Sequence, residues 1–429
     1  MKNRGGFASK AVGTFFTLSA VSLLNFITNL ILARVLGPAG KGIITPAMNI
    51  ASIVIALASL GLGNSVAFFI DKPPFKAKDV LLTSTLVSLL TGLIAAFCTW
   101  MTISLTVVEA TAITKTFFSG GTFFTVVYTT TQSCLLGRNR IGVMNIINLI
   151  SSFVRTALCT ILLYLIWPSV EGFALAYFAA QTLNAILTTI LSFRETGVRG
   201  AKFDVSFLIK AISFTIAVYL ARIALETNAT VGVILLKQFR PPDEVGLLSQ
   251  AMTVSNLLML IPQALAMALY GAVVGEKNKE QFAARAIRLS LIATFVIAII
   301  LAATAPWLIP ILFKKAFTPS IPFLWALLPA TVVYTIPQLY TSLLIASWGK
   351  PWHFFSASAI ALCVNLLGNI LLLSHLGPWA TVVAFSASVL AMTVYYIILL
   401  VRKGGLRFSE IFIPRLDDFR ILLQRLKTI

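Results

Sequence analysis

The chain has 429 residues, of which 58% are hydrophobic and only 11% charged, against roughly 25% charged in an ordinary soluble domain. So few charges cannot cover a solvated surface, and so much apolar side chain is incompatible with disorder. A net charge of +19 would point to nucleic acid in a soluble protein, but here the basic residues lie in short connections, where anionic lipid headgroups and topology account for them.

A membrane-spanning helix needs about 20 predominantly apolar residues. Apolar segments run over Ala11–Ala33, Gly42–Ile70, Val80–Val107, Thr116–Leu136, Ile141–Ile166, Gly172–Phe193, Phe207–Leu236, Gly246–Val274, Leu289–Phe313, Ile321–Ala346, Phe354–Ser374 and Trp379–Val401. The expected fold class is therefore all-α: a polytopic membrane protein with about twelve transmembrane helices. The first segment follows Lys2, Arg4 and Lys10, is too long for a signal-peptide core and has no A-x-A site after it, so it is expected to be retained. The seventh is interrupted by Arg222, Glu226 and Asn228. Beyond the twelfth, residues 406–429 place Leu416, Phe419, Leu422, Leu423 and Leu426 on one broad helical face, with Asp417 and Asp418 early and Arg425 and Lys427 late. That pattern predicts a basic amphipathic helix on the cytoplasmic membrane surface.

Orientation follows from the Lys and Arg residues in the connections. With the N-terminus inside, the inner segments carry 24 of them and the outer segments 7, the outer set being Arg34, Lys41, Lys115, Lys237, Arg240, Lys314 and Lys315. This bias puts both termini in the cytoplasm. Arg155 and Arg222 are left inside predicted helices.

The chain also repeats itself. Residues 31–48 align with 235–252 at an offset of 204, with Leu32/Leu236, Pro38/Pro242, Gly42/Gly246, Ala47/Ala251 and Met48/Met252 identical. The offset pairs the first two helices with the seventh and eighth. A six-helix unit has an even number of crossings, so its copy enters with the same orientation. Two parallel-repeat six-helix lobes, 1–202 and 203–405, are expected around a central cavity.

Several chemistries are excluded by small counts. Cys98, Cys134, Cys159 and Cys363 each sit in an apolar run without CxxC spacing and read as small buried hydrophobes. His353 and His375 lie beside predicted helix ends, so no metal or catalytic histidine site is expected. The stretch from Gly37 to Gly42 is glycine-rich, but Val35 stands where a Walker motif needs its first glycine and Gly42 follows Lys41. No cofactor, ATPase site or nucleic-acid partner is expected.

Polar stripes at helical spacing mark where chemistry could be. They are Ser22, Asn25 and Asn29 in the first helix; Thr45, Asn49, Ser52 and Ser59 in the second; Thr122, Thr125, Thr129 and Gln132 in the fourth. The fifth carries Asn145, Asn148, Ser152, Arg155 and Cys159, the sixth Tyr177, Gln181, Asn184 and Thr188, and the seventh Thr215, Tyr219, Arg222 and Glu226. Thr253, Asn256 and Gln263 follow in the eighth, and Ser358, Asn365 and Asn369 in the eleventh. Such residues commonly hydrogen-bond one helix to another; stripes in both halves also fit a hydrated cavity. Arg155 is the sharpest signal, because a charge near the middle of a membrane helix costs about 2.5–3.5 kcal/mol or more and must face protein or water. Arg222 and Glu226 are four apart and share a face. Arg34 and Lys237 sit at outer helix ends, where snorkelling is the ordinary reading. Pro46, Pro262, Pro306, Pro310, Pro329 and Pro337 interrupt helices and can bend them.

These residues resemble a known family. The run Ala33-Arg34-Val35-Leu36-Gly37-Pro38-Ala39-Gly40-Lys41-Gly42 resembles the ARxLGPxGxG turn of polysaccharide-transporter flippases, in the superfamily that also holds multidrug/toxic-compound extruders and the lipid II flippase. Val245-Gly246-Leu247 and Ile261-Pro262-Gln263-Ala264-Leu265-Ala266 resemble the same family's eighth-helix region. Two departures stand out: Arg240-Pro241-Pro242 replaces a leucine-glycine-proline run, and Gly232 occupies the place of an acidic residue near the outer end of the seventh helix. The resemblance implies a flippase of the bacterial inner membrane. It would turn a polyprenyl-diphosphate-linked oligosaccharide from the cytoplasmic to the outer leaflet by alternating access around a basic cavity. On this reading Arg155 and Arg222 hold the pyrophosphate, and Arg34, Asn25, Asn29, Asn148 and Gln263 are further substrate-binding candidates. Glu226 is the candidate for coupling to H+ or Na+. Anionic membrane lipids are the other expected partners.

Three alternatives compete. An extruder of cationic drugs would prefer acidic cavity residues, which are few here. A membrane glycosyltransferase or polymerase would need a large extramembrane loop or paired carboxylates, and the connections are too short. A major-facilitator carrier would carry a GxxxDRxGRR-like loop where this chain reads Asp71-Lys72-Pro73-Pro74-Phe75-Lys76-Ala77-Lys78.

Overall fold

A computed structural model of the chain describes residues 4–197, 199–273, 279–346 and 348–404. The amphipathic helix expected over 406–429 lies outside the described residues. In order, the helices are α1 (Arg4–Ala58), α2 (Leu62–Phe69), α3 (Ala77–Thr106), α4 (Ala112–Gly137), α5 (Ile141–Ile161), α6 (Val170–Thr196) and α7 (Val205–Phe239). They continue as α8 (Pro242–Asn256), α9 (Leu260–Val273), α10 (Lys279–Phe313), α11 (Ile321–Val333), α12 (Thr335–Ala346), α13 (Pro351–Leu376) and α14 (Pro378–Gly404). No strand occurs among the described residues. The protein is all-α and polytopic, and ten of its described helical stretches are long and apolar enough to cross a membrane.

Ten and twelve reconcile at two places. First, α1 is two helices joined at Gly37, whose φ of 65° and ψ of −169° are not helical. The Lys41 ammonium donates to Asn29 Oδ1 at 2.8 Å across this joint. Twelve residues of straight helix would separate the two by about 18 Å, so α1 turns back sharply on itself. The connection expected over 34–41 is therefore absent, and Lys41, counted among the outer-loop cations, is buried at 1% exposure. Second, the Thr- and Ser-rich α4 is not among the ten, although its 26 residues are long enough to span.

Contacts gather the described residues into two compact units. The first takes in everything up to Ser249 together with Leu312–Phe317; the second takes in Gln250–Ile311 and everything from Thr318 onward. In the first unit the most closely packed pairs are α4 with α6, α3 with α4, α1 with α5 and α1 with α7. Buried hydroxyls and amides stitch its helices together, Thr188 and Asn184 of the sixth stripe among them. Ser192 Oγ donates to Thr131 O at 2.8 Å, Thr131 and Thr188 share a 2.9 Å hydroxyl contact, and Ser151 donates to Asn184. Arg34 Nε donates to Leu312 O at 2.5 Å, and Lys237 pairs with Glu109 at 2.7 Å.

The repeated turn sits at the tightest point of this unit. A Cβ at Gly42 would lie 1.7 Å from the Pro242 carbonyl oxygen, and one at Gly246 would lie 1.9 Å from that of Pro38. Pro38 and Gly42 are the repeat counterparts of Pro242 and Gly246, so the contact is reciprocal: each copy's glycine seats the other copy's proline. Only glycine permits this approach of backbone to backbone.

In the second unit α13 packs along α14, α9 against α12 and α11 against α14. Asn369 donates to Asn365 Oδ1 at 2.6 Å and accepts from Thr381 Oγ1 at 2.8 Å, all three buried. Breaks follow prolines: α8 and α9 are separated by a short 3-10 turn at Leu257–Met259 beside Pro262, and α11 and α12 part at Tyr334 between Pro329 and Pro337. Of the four cysteines, Cys134 and Cys159 are buried as expected, whereas Cys98 and Cys363 are exposed on apolar faces.

Candidate functional site

The apolar stretch Gly42–Ile70, expected as one helix, breaks. α1 ends at Ala58, Leu60 and Gly61 take left-handed φ values of 48° and 67°, and α2 restarts at Leu62. A helix break frees backbone carbonyls, which hydrocarbon cannot satisfy, so it is tolerated where neighbours or a cavity meet it. Tyr219 of α7 meets one of them: its hydroxyl donates to Leu57 O at 2.6 Å. Gly61 lets α7 come this close, since a Cβ there would lie 2.7 Å from Thr215 Oγ1.

The break opens onto a cavity of about 510 Å³ lined by α1, α2, α4, α6 and α7. Its wall takes Ser52 and Ser59 from the second stripe, Thr125 and Thr129 from the fourth, Tyr177 and Gln181 from the sixth, and Tyr219, Arg222 and Glu226 from the seventh. Asn64 and Ser133 complete the polar lining and carried no signal in the sequence. Asn64 follows the break that the unbroken apolar run concealed; Ser133 lies one residue from the stripe that was read, so a wider face would have found it.

The wall divides into satisfied and unsatisfied groups. Most hydroxyls donate back to their own helix: Thr125 to Gly121 O at 2.7 Å, Thr129 to Val126 O at 3.0 Å, Ser133 to Thr129 O at 2.8 Å and Ser59 to Ala56 O at 2.8 Å. Each keeps lone pairs for an incoming donor. Gln181 Nε2 donates to Thr125 Oγ1 at 2.5 Å. By contrast, among the described residues the side chains of Asn64, Arg222 and Glu226 make neither a hydrogen bond nor an ion pair. Arg222 and Glu226 share a helical face without closing on each other. Arg222 is the central residue of the 35-residue α7. That helix is about 52 Å long, so its midpoint lies within a hydrocarbon core of about 30 Å wherever the helix is centred within its length. A guanidinium at that depth needs a polar cavity.

The other sequence candidates fall elsewhere. Arg155 Nη2 donates to Asn25 Oδ1, joining α5 to α1, while the buried Nε of Arg155 has no partner. Tyr177 of the cavity wall and Tyr128 both lie within electrostatic range of Arg155. Asn29 accepts from Lys41, and Asn148 accepts from Gln132 at 2.7 Å. Arg34 holds the Leu312 carbonyl. Gln263 is exposed on α9 of the second unit. The structure thus brings Arg222 and Glu226 together in one wall and pairs Arg155 with Asn25. It uses Asn29, Asn148 and Arg34 in helix-to-helix bonds.

A family model described as polysaccharide biosynthesis protein matches residues 11–275. No curated protein matches the chain. Among solved structures, the chain is similar to an inward-facing multidrug resistance MATE family transporter of the MOP superfamily. The TM-score is 0.75 at 14% identity, with 90% of this chain and 95% of that one covered. The outward-facing conformation of such a transporter gives a TM-score of 0.67 at 16% identity, covering 92% and 94%. A MOP superfamily transporter from Pyrococcus furiosus, described as having a binding pocket of reversed polarity that suggests a different function, gives 0.62 at 14% identity, covering 91% and 94%. With the family model matching more than half of the chain, the chain belongs to the polysaccharide biosynthesis protein family, and it has the fold of the membrane transporters of the MOP superfamily.

Proposed function

We propose that the chain flips a polyprenyl-diphosphate-linked oligosaccharide from the cytoplasmic to the outer leaflet of a bacterial inner membrane, by alternating access, for export of a cell-surface polysaccharide. The observation that carries this reading is the cavity wall, where a deep guanidinium stands with its donors uncommitted among hydroxyls, amides and two tyrosines. A guanidinium forks onto phosphate oxygens. Hydroxyl lone pairs, the Asn64 amide and the rings of Tyr177 and Tyr219 suit sugar hydroxyls and sugar faces. A volume of about 510 Å³ lies in the range of small-molecule sites, which seats a headgroup while the prenyl chain stays in lipid. Arg155 adds a second positive charge near Tyr177. Glu226 is the candidate for coupling to H+ or Na+, and the Lys/Arg bias supports cytoplasmic termini.

The test is leaflet-to-leaflet movement of labelled lipid-linked oligosaccharide in cells that carry only a variant. Arg222→Ala is expected to abolish movement and Arg222→Lys to restore part of it, because a lysine keeps the charge but not the fork. Movement unchanged in both Arg155→Ala and Arg222→Ala would remove the site assignment. A second reading has one observation in its favour: Glu226 presents an uncommitted carboxylate to the cavity, which suits a cationic drug and the MATE-like fold. Efflux of such a cation, lost in Glu226→Gln, with normal oligosaccharide movement would establish that reading instead.

A further inference from the structure

The connections leading into α3 and α7 meet at one end of the first unit. Lys78 Nζ donates to Arg199 O at 3.0 Å, Asp79 accepts from Lys202 N at 2.7 Å, and Thr83 accepts from Asp204 N at 2.8 Å. Beneath them five phenylalanines interlock. Phe68 stacks on Phe214 at 4.5 Å, and Phe69, Phe75 and Phe207 pack edge to face around them at 4.9–6.4 Å. Two lysines lie over this cluster, Lys72 with its ammonium 3.2 Å from the Phe68 ring centre and Lys210 at 5.6 Å from that of Phe75. Lys76 and Lys202 are exposed nearby.

The carboxylates of this region are already engaged. Asp71 pairs with Arg138 at 3.1 Å, Asp79 takes the Lys202 amide, and Asp204 caps α7 through the Phe207 amide at 3.0 Å and the Ser206 hydroxyl at 2.6 Å. Among the described residues, Lys72, Lys76, Lys202 and Lys210 have no carboxylate partner. A surplus of positive charge therefore sits where two membrane spans begin, at Ala77 and Val205. Directly beside it, exposed side chains are apolar: Phe68 at 42%, Phe203 at 49%, Ile209 at 64% and Phe214 at 50%. Basic groups above an exposed aromatic and aliphatic face are the chemistry of an acidic headgroup carried on acyl chains.

We infer that this patch is a binding site for an acidic phospholipid. Its phosphate is held by Lys72 and Lys210, and its chains lie along Phe68, Ile209 and Phe214. The site is distinct from the transport cavity, so its failure leaves the transport reading standing. Soluble phosphate alone would lack the apolar half of the contact.

The test is retention of lipid by the full chain in detergent, read by native mass spectrometry. The probes are phosphatidylglycerol, phosphatidylcholine with the same chains, and inorganic phosphate as competitor. The wild type is expected to retain phosphatidylglycerol over phosphatidylcholine. The double variant Lys72→Gln/Lys210→Gln should weaken phosphatidylglycerol by about thirtyfold and leave phosphatidylcholine unchanged. Lys72→Arg/Lys210→Arg should keep the preference, as should the distant control Lys315→Gln. Equal retention of the two lipids, or an equal loss in Lys315→Gln, would overturn the site. So would displacement by inorganic phosphate at the concentration at which phosphatidylglycerol binds, which would make it a soluble-anion site.

Discussion

The reciprocal glycine contact gives a quantitative prediction. In Gly42→Ala the new methyl would stand 1.7 Å from the Pro242 carbonyl oxygen, where real Cβ contacts fall no closer than 3.0 Å. The two backbones must therefore part by about 1.3 Å, and neither can yield by rotating a side chain. Overpacking of this kind costs about 1–3 kcal/mol, and the upper end applies because the obstacle is backbone. Gly246→Ala meets Pro38 O at 1.9 Å and should cost nearly as much. Because the two contacts belong to one crossing, the separation forced by the first alanine relieves the second. The double variant should be less destabilised than the sum of the singles by about 1 kcal/mol. Denaturation of the purified protein in one fixed detergent measures all three, with Gly142→Ala as control, since a Cβ there meets nothing within 4 Å. A Gly42→Ala protein as stable as wild type would refute the reasoning, as would singles that add to within about 0.5 kcal/mol.

Four further outcomes follow from other contacts. Burial raises the Glu109 carboxyl, but the Lys237 hydrogen bond, the Glu109 backbone amide and the Lys237 charge carry it below its ordinary value. Its stabilisation is therefore present above the ordinary carboxylate pKa and lost as pH falls through the lowered one. Glu109→Gln should flatten that acid limb of a stability–pH curve. Lys237→Met should cost between the roughly 1 kcal/mol of an exposed pair and the 3–5 kcal/mol of breaking a buried one. Asp204 is held below its ordinary value by the Ser206 hydroxyl and then the Phe207 amide, so Asp204→Ala should lose about 1 kcal/mol of cap at neutral pH and less once acid has protonated the native carboxyl. Gly61→Ala forces a left-handed residue against Thr215 Oγ1 and should lower stability by about 1–3 kcal/mol; an unchanged denaturation midpoint would show that the break tolerates a side chain.

The spans were legible because twenty-residue apolar runs admit one physical solution in lipid. The polar stripes were legible as helical faces, and four of them do converge on the cavity. Their division of labour was not, because spacing alone cannot tell a hydroxyl that bonds a neighbouring helix from one that faces a cavity: Asn148 and Gln132 bond each other, while Thr129 lines the wall. The Arg34–Lys41 stretch read as a loop because its glycines, proline and two cations have loop composition. In the folded chain Gly37 compresses the turn to one non-helical residue, and Asn29 draws Lys41 inside. The break at Gly61 was hidden for the opposite reason, since Leu60 and Leu62 keep the run apolar while the left-handed backbone opens it. The repeat pointed to paired turns, and the reciprocal seating of Pro38 and Pro242 is a contact that an alignment of two segments does not reveal.

The central claim, that the chain moves lipid-linked oligosaccharide between leaflets, is tested most directly by mass spectrometry of that intermediate, with a leaflet-resolved label, in cells lacking the protein. The intermediate is expected to accumulate on the cytoplasmic face, and the intact gene to clear it while the Arg222→Ala gene does not. An intermediate that is made and flipped at the normal rate without the protein would contradict it.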